Sequence, residues 1–582
     1  MKLSLVFAAV SVSLMSSAIH AETDDDLYMV YMNPFFVQKH EQDAIDGGYS
    51  RPRVPDVIKH SERADYVARN FEKFRHSPGV ERGKNEIARG FGLKKVVREA
   101  MHSPAFYAHL NEKEVQALRK SDRVVSVDKI DDQPGSIVLS SYYDSYLGLE
   151  VQPWGRKRVG VNDLITPSIN FYILDAPYVS PALSSELNVV STNSTVAAID
   201  SYHPASVLSI AAGRANSTGI RGINPGQKIV HRQLGAGKSA VADDINVLAA
   251  QAEWAGQFAT LNLSFNVKGT ASISDNPFHH QDVLGRAIRR ASGRLFVAQS
   301  AGNWSKDACL AAFTYGGQPA QQNDGIMVVG GIDRFGDRFM PGDNPPPSAM
   351  EGRSNHGHCV DIYAPGHQMT TTWQNGSVVT ATGTSYSAPI VAAIAGRYGD
   401  ASTRPIEREA YIRNGSAWTG KYDGAAGHPI REVKYTAPSS HSIPKRLPVS
   451  AVYSNTNTAN LNKLVDQLFY DGINWSAGAG WGSVVLDLGL AKNVKGIRVM
   501  MRSSAANGGQ LNFAVHGGNS INILGPGRAL IPVNPIAYLN TTDQFDLVPY
   551  YIPINGNYRY VMLEGNNSTS WLSYSEVEVY GF

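Results

Sequence analysis

The chain has 582 residues, with 53 Lys+Arg against 51 Asp+Glu and a formal net charge of +2 at pH 7. So even a balance gives no electrostatic case for nucleic acid or an acidic membrane surface as partner. Length argues for about three to four domains, and 43% apolar with 18% charged residues is the composition of an ordinary globular protein.

Residues 1–21 read as a secretory signal: Lys2, then a short apolar core "LSLVFAAVSVSLM", then small residues ending at Ala21. The run is too short and Ser-rich to span a bilayer. No later segment reads as transmembrane, so the expected mature protein is exported and soluble. From residue 22 the chain is charged and mixed. "LYMVYM" (27–32) alternates like a strand, and "AFYAHLNEKEVQALRKSDRVVSVD" (105–128) reads as strand, helix, strand, with Asn111 and Glu114 spaced as a capping box. Residues 131–150 read as an exposed connection.

From 151 to 437 strands alternate with helices: strands at 169–175, 228–234, 258–265, 294–303 and 325–333, and helices at 205–213, 243–257, 280–293 and from Ser385. Such alternation predicts a parallel sheet with helices on both faces, and ligands beyond the carboxyl ends of the strands. Residues 438–450, "PSSHSIPKRLPVS", read as a linker, and from 451 short strands separated by Gly/Asn turns predict an all-β sandwich.

Candidate chemistry collects at element ends. "GTSYSAP" places Ser385 where a helix begins, which suits either a capping hydroxyl or a nucleophile at the positive end of a helix. A nucleophile requires a base and an orienting acid elsewhere. His203 opens a helix with Pro204 in its first turn, Asp175 ends an apolar strand, and Asn303 follows "FVAQSAG". Each has an ordinary structural reading as a cap or turn residue. Export favours pairing of the two cysteines, Cys309 and Cys359, over two free thiols, and neither is read as a nucleophile. Their loop of about 51 residues carries about 4 kcal/mol in the chain-entropy treatment. "HGHC" (356–359) raises a metal site, but no second ligand cluster accompanies it.

Together the order Asp, His, Asn, Ser and the runs "YILDA", "HPASVLSIAAG", "NLSFN", "SAGN", "SNHGHCVDIYAPG" and "GTSYSAP" resemble the catalytic domain of the subtilase (subtilisin-like) serine proteases. The resemblance implies Ser385 as nucleophile, His203 as general base and acid, Asp175 as its orienter, and Asn303 as oxyanion donor. It implies a substrate groove walled by Ser264, Phe265 and Asn266, no cofactor for the chemistry, and a Cys309–Cys359 disulfide. Asp200 is the competing acid; it lies three residues before His203 and leaves the strand-end Asp175 without a role, so Asp175 is chosen.

Three departures stand out. The family's Asp-Ser/Thr-Gly is Asp175-Ala176-Pro177, its His-Gly-Thr is His203-Pro204-Ala205, and its Gly pair on the groove wall is Asn266-Val267. They keep open an inactive scaffold acting through binding, or a toxin-like protease with one narrow substrate. Residues 22–135 resemble the family's inhibitor-like propeptide, with self-cleavage expected between 129 and 150, and the protease domain spans 136–437. Residues 451–582 resemble discoidin-like (factor 5/8 type C) jelly-roll domains. That implies a glycan or cell-surface ligand met by Trp475, Trp481 and Trp571, core filling being the other reading of the first two. The resemblance also admits a structural Ca²⁺ near Asp466 and Asp471.

Overall fold

The computed structural model describes residues 26–49, 77–100, 104–130, 137–138, 142–145, 151–178, 181–191, 202–216, 218–235, 237–267, 283–310, 323–339, 353–424, 427–436, 442–469, 475–477, 480–501, 511–541, 548–567 and 572–582. Asp200, Asp471 and Trp571 lie outside them, as does the signal-like segment.

The first unit is a four-stranded antiparallel sheet in the order Val96–Glu99, Ala105–Leu110, Asp26–Met32, Val124–Lys129. Period-2 alternation splits its strands between two cores. Val30, Phe106 and Ala108 face the unit's own helices through Ile87, Val115 and Leu118. Met29, Tyr31, Ala105 and Tyr107 instead join the core beneath helices Lys238–Trp254 and Val283–Ala291 of the next unit. Asn111 and Glu114 form the capping box, at 3.0 Å and 2.9 Å. Polar contacts frame the same junction. Arg98 pairs with Asp243, Tyr107 Oη donates to Asp243 Oδ1 at 3.4 Å, and Arg286 reaches Asp128 Oδ2 at 3.0 Å.

The second unit is a nine-stranded sheet ordered Ala417–Tyr422, Pro429–Glu432, Ile362–Pro365, Ile326–Ile332, Leu295–Ser300, Ala259–Leu263, Phe171–Asp175, Lys228–Gln233, Asn188–Ser191. Its strands pair in parallel except for the antiparallel edge at Ala417–Tyr422. Both faces are covered, as parallel sheets require. Along Phe171–Asp175, Tyr172 and Leu174 enter one core while Phe171 and Ile173 enter the other. The Thr384–Gly396 helix is buried along its whole length. Its alanines let it lie close against three of the central strands. The helix expected from 205 begins at Tyr202 and so carries His203, and the one expected from 243 begins at Lys238.

The third region is a ten-stranded sheet dominated by two long strands, Trp481–Met501 and Val548–Asn567, bent where their register shifts at Asp487/Lys492 and Val494/Gly496. Its core holds Trp475, stacked on Tyr574 at 5.3 Å. Trp481 is half exposed, its Nε1 donating to Glu564 Oε1 at 3.1 Å. Lys445 and Arg446, within the stretch read as a linker, pair with the Ser573–Gly581 strand, and Leu447 enters the core. That strand also carries Glu578, fully buried against the second unit. Its carboxylate accepts from Arg404 Nε at 2.8 Å and Tyr580 Oη at 2.7 Å, with Arg446 Nε at 3.5 Å and Arg498 Nη1 at 3.7 Å. Burial works to raise the Glu578 pKa, and the guanidiniums more than offset it, holding the carboxyl below its ordinary value.

Candidate active site

The parallel sheet ends in one edge of carboxyl termini, and four of the candidate residues stand there. Asp175 closes its strand with no exposed surface, and its Oδ1 lies 2.8 Å from His203 Nδ1. The contact fixes His203 with hydrogen on Nδ1, because a carboxylate only accepts. His203 Nε2 is buried and, among the described residues, has no hydrogen-bond partner. A buried acceptor left unmatched costs about 1–3 kcal/mol.

Ser385 is not the cap of its helix. Gly383 holds that position, and Ser385 is the second helical residue. Its Oγ donates to the Ser264 carbonyl at 3.3 Å, and Ser264 Oγ donates back to the Ser385 carbonyl at 2.8 Å. The His203 ring lies 6.3 Å from that of Tyr386, the next residue, which puts the imidazole beside this first turn. Asn303 is oriented from the same turn: its Oδ1 accepts from Thr384 N and Thr384 Oγ1, both at 2.9 Å. With the oxygen so engaged, Nδ2 is the donating end. Gly302 precedes it at φ +100°, where a Cβ would meet Asn355 Nδ2 and the Trp304 ring at 2.6 Å, so only glycine fits this approach.

Of the groove residues, Ser264 contacts Ser385 as above, while Phe265 turns its side chain into the core. The backbone of Asn266–Val267 pairs antiparallel with the chain's own Ile137–Val138. A second connection, Tyr142–Ser145, pairs antiparallel with Val378–Thr382, the strand leading into Gly383 and Ser385. Cys309 and Cys359 form a disulfide of S–S 2.05 Å. They lie with His358 in a group of three metal-ligand types, its Nε2 3.4 Å from Cys309 Sγ. Sulfurs joined to each other are not thiolate donors, so the "HGHC" metal reading has no support in this geometry. Asp466 is engaged by Lys463 at 2.9 Å and by the Leu468 N–H at 3.0 Å.

Sequence reasoning missed His231. It sits on Lys228–Gln233, paired with Ile173 and fully buried beside the Asp175 strand. Its Nε2 lies 2.9 Å from the Ala176 carbonyl oxygen, and the Ala176 N–H donates to Asp175 Oδ1 at 2.7 Å. Burial pushes the imidazole down to about 4, against the opposing pull of the Asp175 carboxylate. The one signal was a histidine in an otherwise apolar, inward-facing strand position. Among the described residues Asp175 Oδ2 has no hydrogen-bond partner. That is the oxygen an Asp-Ser/Thr hydroxyl would be free to serve, and Ala176 has none.

Part of the chain is similar to known proteins. The Subtilase family model matches residues 180–411, a span that contains His203, Asn303 and Ser385 and begins just after Asp175. Alkaline serine exoprotease A of Vibrio alginolyticus is 28% identical over 207 residues, which is 33% of this chain and 35% of its own length. Subtilisin of Bacillus sp. (strain TA39) is 24% identical over 337 residues, 53% of this chain and 77% of its own length. A cold adapted subtilisin-like serine proteinase of known structure superposes with a TM-score of 0.36 at 18% identity, over 49% of this chain and 98% of that one. No helix among the described residues is long and apolar enough to cross a membrane.

Proposed function

We propose that this chain, subtilase-like over residues 180–411, is a secreted serine endopeptidase that releases itself from a zymogen. The observation that carries the reading is the buried 2.8 Å contact of His203 with Asp175 beside the first turn bearing Ser385. Ser385 Oγ attacks the peptide carbonyl while His203 Nε2 takes its proton. The same nitrogen returns the proton to the leaving amine, leaving an acyl-enzyme that water hydrolyses by the reverse transfers. Asp175 holds the tautomer and stabilises the imidazolium. Asn303 Nδ2 and the Ser385 N–H serve the oxyanion. None of these steps calls for a metal or cofactor.

The N-terminal unit is read as the prosegment. Its support is the docking of Tyr31 and Tyr107 on two helices of the second unit and the pairing of Ile137–Val138 with Asn266–Val267, as a peptide in the groove would pair. Cleavage then falls C-terminal to Val138. The C-terminal sheet is read as a discoidin-like module for a glycan or cell-surface ligand, with half-exposed Trp481 as its offered ring, and a structural Ca²⁺ stays part of that reading. The test is the N-terminus of the secreted protein, wild type beside Ser385→Ala. The reading expects wild type to start after residue 138 and the variant to keep residue 22. Both starting at 22 would overturn it in favour of an inactive binding scaffold. If both are trimmed alike, Ser385-dependent cleavage of added casein decides.

A further inference from the structure

Buried histidines in strands usually serve packing, and a neutral imidazole sealed inside a sheet needs its polar atoms matched. His231 does something more specific. The carbonyl of Ala176 can only accept, so His231 Nε2 carries the hydrogen and donates it over 2.9 Å. The N–H of that same residue 176 donates over 2.7 Å to Asp175 Oδ1, the atom that receives His203 Nδ1–H at 2.8 Å. Three hydrogen bonds therefore run in series from the His231 ring to the His203 ring. Among the described residues Asp175 Oδ2 has no hydrogen-bond partner, so there the carboxylate is oriented through Oδ1. Residue 176 offers no hydroxyl, and Pro177 after it has no N–H to give. The strand ladder fixes the Asp175 backbone, in register with Gln233 and with its carbonyl accepting from Leu234 N at 2.8 Å, and leaves the side chain to be oriented separately. The Tyr178 ring, 5.8 Å away and tilted by 55°, closes the outer side of the His231 imidazole.

We propose that His231 is a positioning residue for the Asp175 carboxylate: by gripping the Ala176 carbonyl it fixes the backbone of residue 176, whose N–H, one peptide group earlier, sets Asp175 Oδ1 against His203. It thereby does the work that a side-chain hydroxyl beside the acid would do. The inference rests on the protease reading above. Its burial-lowered affinity for a proton suits the task, because a neutral ring adds no charge beside the acid.

The experiment compares His231→Gln, His231→Asn and His231→Leu in the full chain. Turnover of a peptide substrate is normalised to sites titrated with a serine-reactive phosphonate. Gln reaches the place of Nε2 with an N–H donor; Asn is too short, and Leu has no donor. Asn and Leu are expected to lower kcat by about ten- to a hundredfold with KM within about twofold, as for a misplaced catalytic group. Gln is expected to restore kcat to within about threefold of wild type. Equal kcat in all variants, or an equal fall in Gln and Asn, overturns the proposal, since a packing role does not distinguish them. If the Leu variant fails to accumulate, the Gln and Asn pair still decides. A wild type without Ser385-dependent turnover would remove the protease reading itself, a different result from an active enzyme indifferent to residue 231.

Discussion

Replacing Glu578 by Gln is expected to loosen the C-terminal sheet from the α/β unit while leaving the candidate active site intact. Glu578 is fully buried, and its two oxygens face Arg404, Arg446, Arg498 and the Tyr580 hydroxyl. Glutamine keeps the shape and loses the charge. Arg404 and Arg498, themselves almost wholly buried, then lose the counter-charge they share, and Glu576 is a neighbouring carboxylate that acts on Arg404. Glu576 is a poor substitute, because burial and the neighbouring carboxylate raise its pKa well above the ordinary value. Breaking one side of a buried pair costs about 3–5 kcal/mol. That corresponds to about two to three and a half powers of ten in the equilibrium between docked and detached states. Hydrogen exchange of the Ser573–Gly581 amides, resolved by peptide, measures this directly, with kcat on a short substrate as the control. Opening free energies within about 0.5 kcal/mol of wild type would refute the reasoning, since that is the scatter of surface substitutions.

Asn303→Ala is expected to lower kcat by about 10²–10³ with little change in KM, the loss such a donor carries in subtilisin; steady-state kinetics on a peptide anilide checks it. Reduction of Cys309–Cys359, whose partners are 50 residues apart, is expected to lower stability by about 4 kcal/mol in the chain-entropy treatment. Urea midpoints with and without dithiothreitol read this out. His231 gives a pH dependence of defined sign. Its folded pKa of about 4 lies below the ordinary 6.5, so between those values the unfolded chain binds the extra proton. Stability therefore falls as pH drops from 6.5 towards 4 and levels off below. The full contribution is on the order of 3 kcal/mol. Urea midpoints across that window should show a slope that His231→Gln removes.

The four candidate residues were legible because each ends or opens an element, and a parallel sheet brings the carboxyl ends of its strands to one edge. Asp175 was preferred to Asp200 because Asp200 lies only three residues before His203 and would leave the strand-end Asp175 without a role. What was not legible is non-local. Nothing near Glu578 in the chain foretells Arg404, 174 positions away. Nothing near Arg98 foretells Asp243, because an ion pair across two units has no sequence period. His231 was hidden for another reason: "KIVHRQ" alternates as any strand does, and its meaning lies in the neighbouring strand it pairs with. The helix at Lys238 begins earlier than expected, and Ser239 in its first turn is buried and accepts from Arg98 of the N-terminal unit at 3.2 Å, a contact with no local sequence signal.

Translation order gives the Glu578 cluster a further meaning. The Ser573–Gly581 strand follows every other element described, so its carboxylate leaves the ribosome after Arg404 and Arg498 have already been made. A nascent chain halted before that strand has two guanidiniums destined for an apolar junction and no counter-charge to take in with them. Such a product lacks the carboxylate that Arg404 and Arg498 share. The cluster thus makes closure of this junction wait on the Ser573–Gly581 strand, whatever has been made before it.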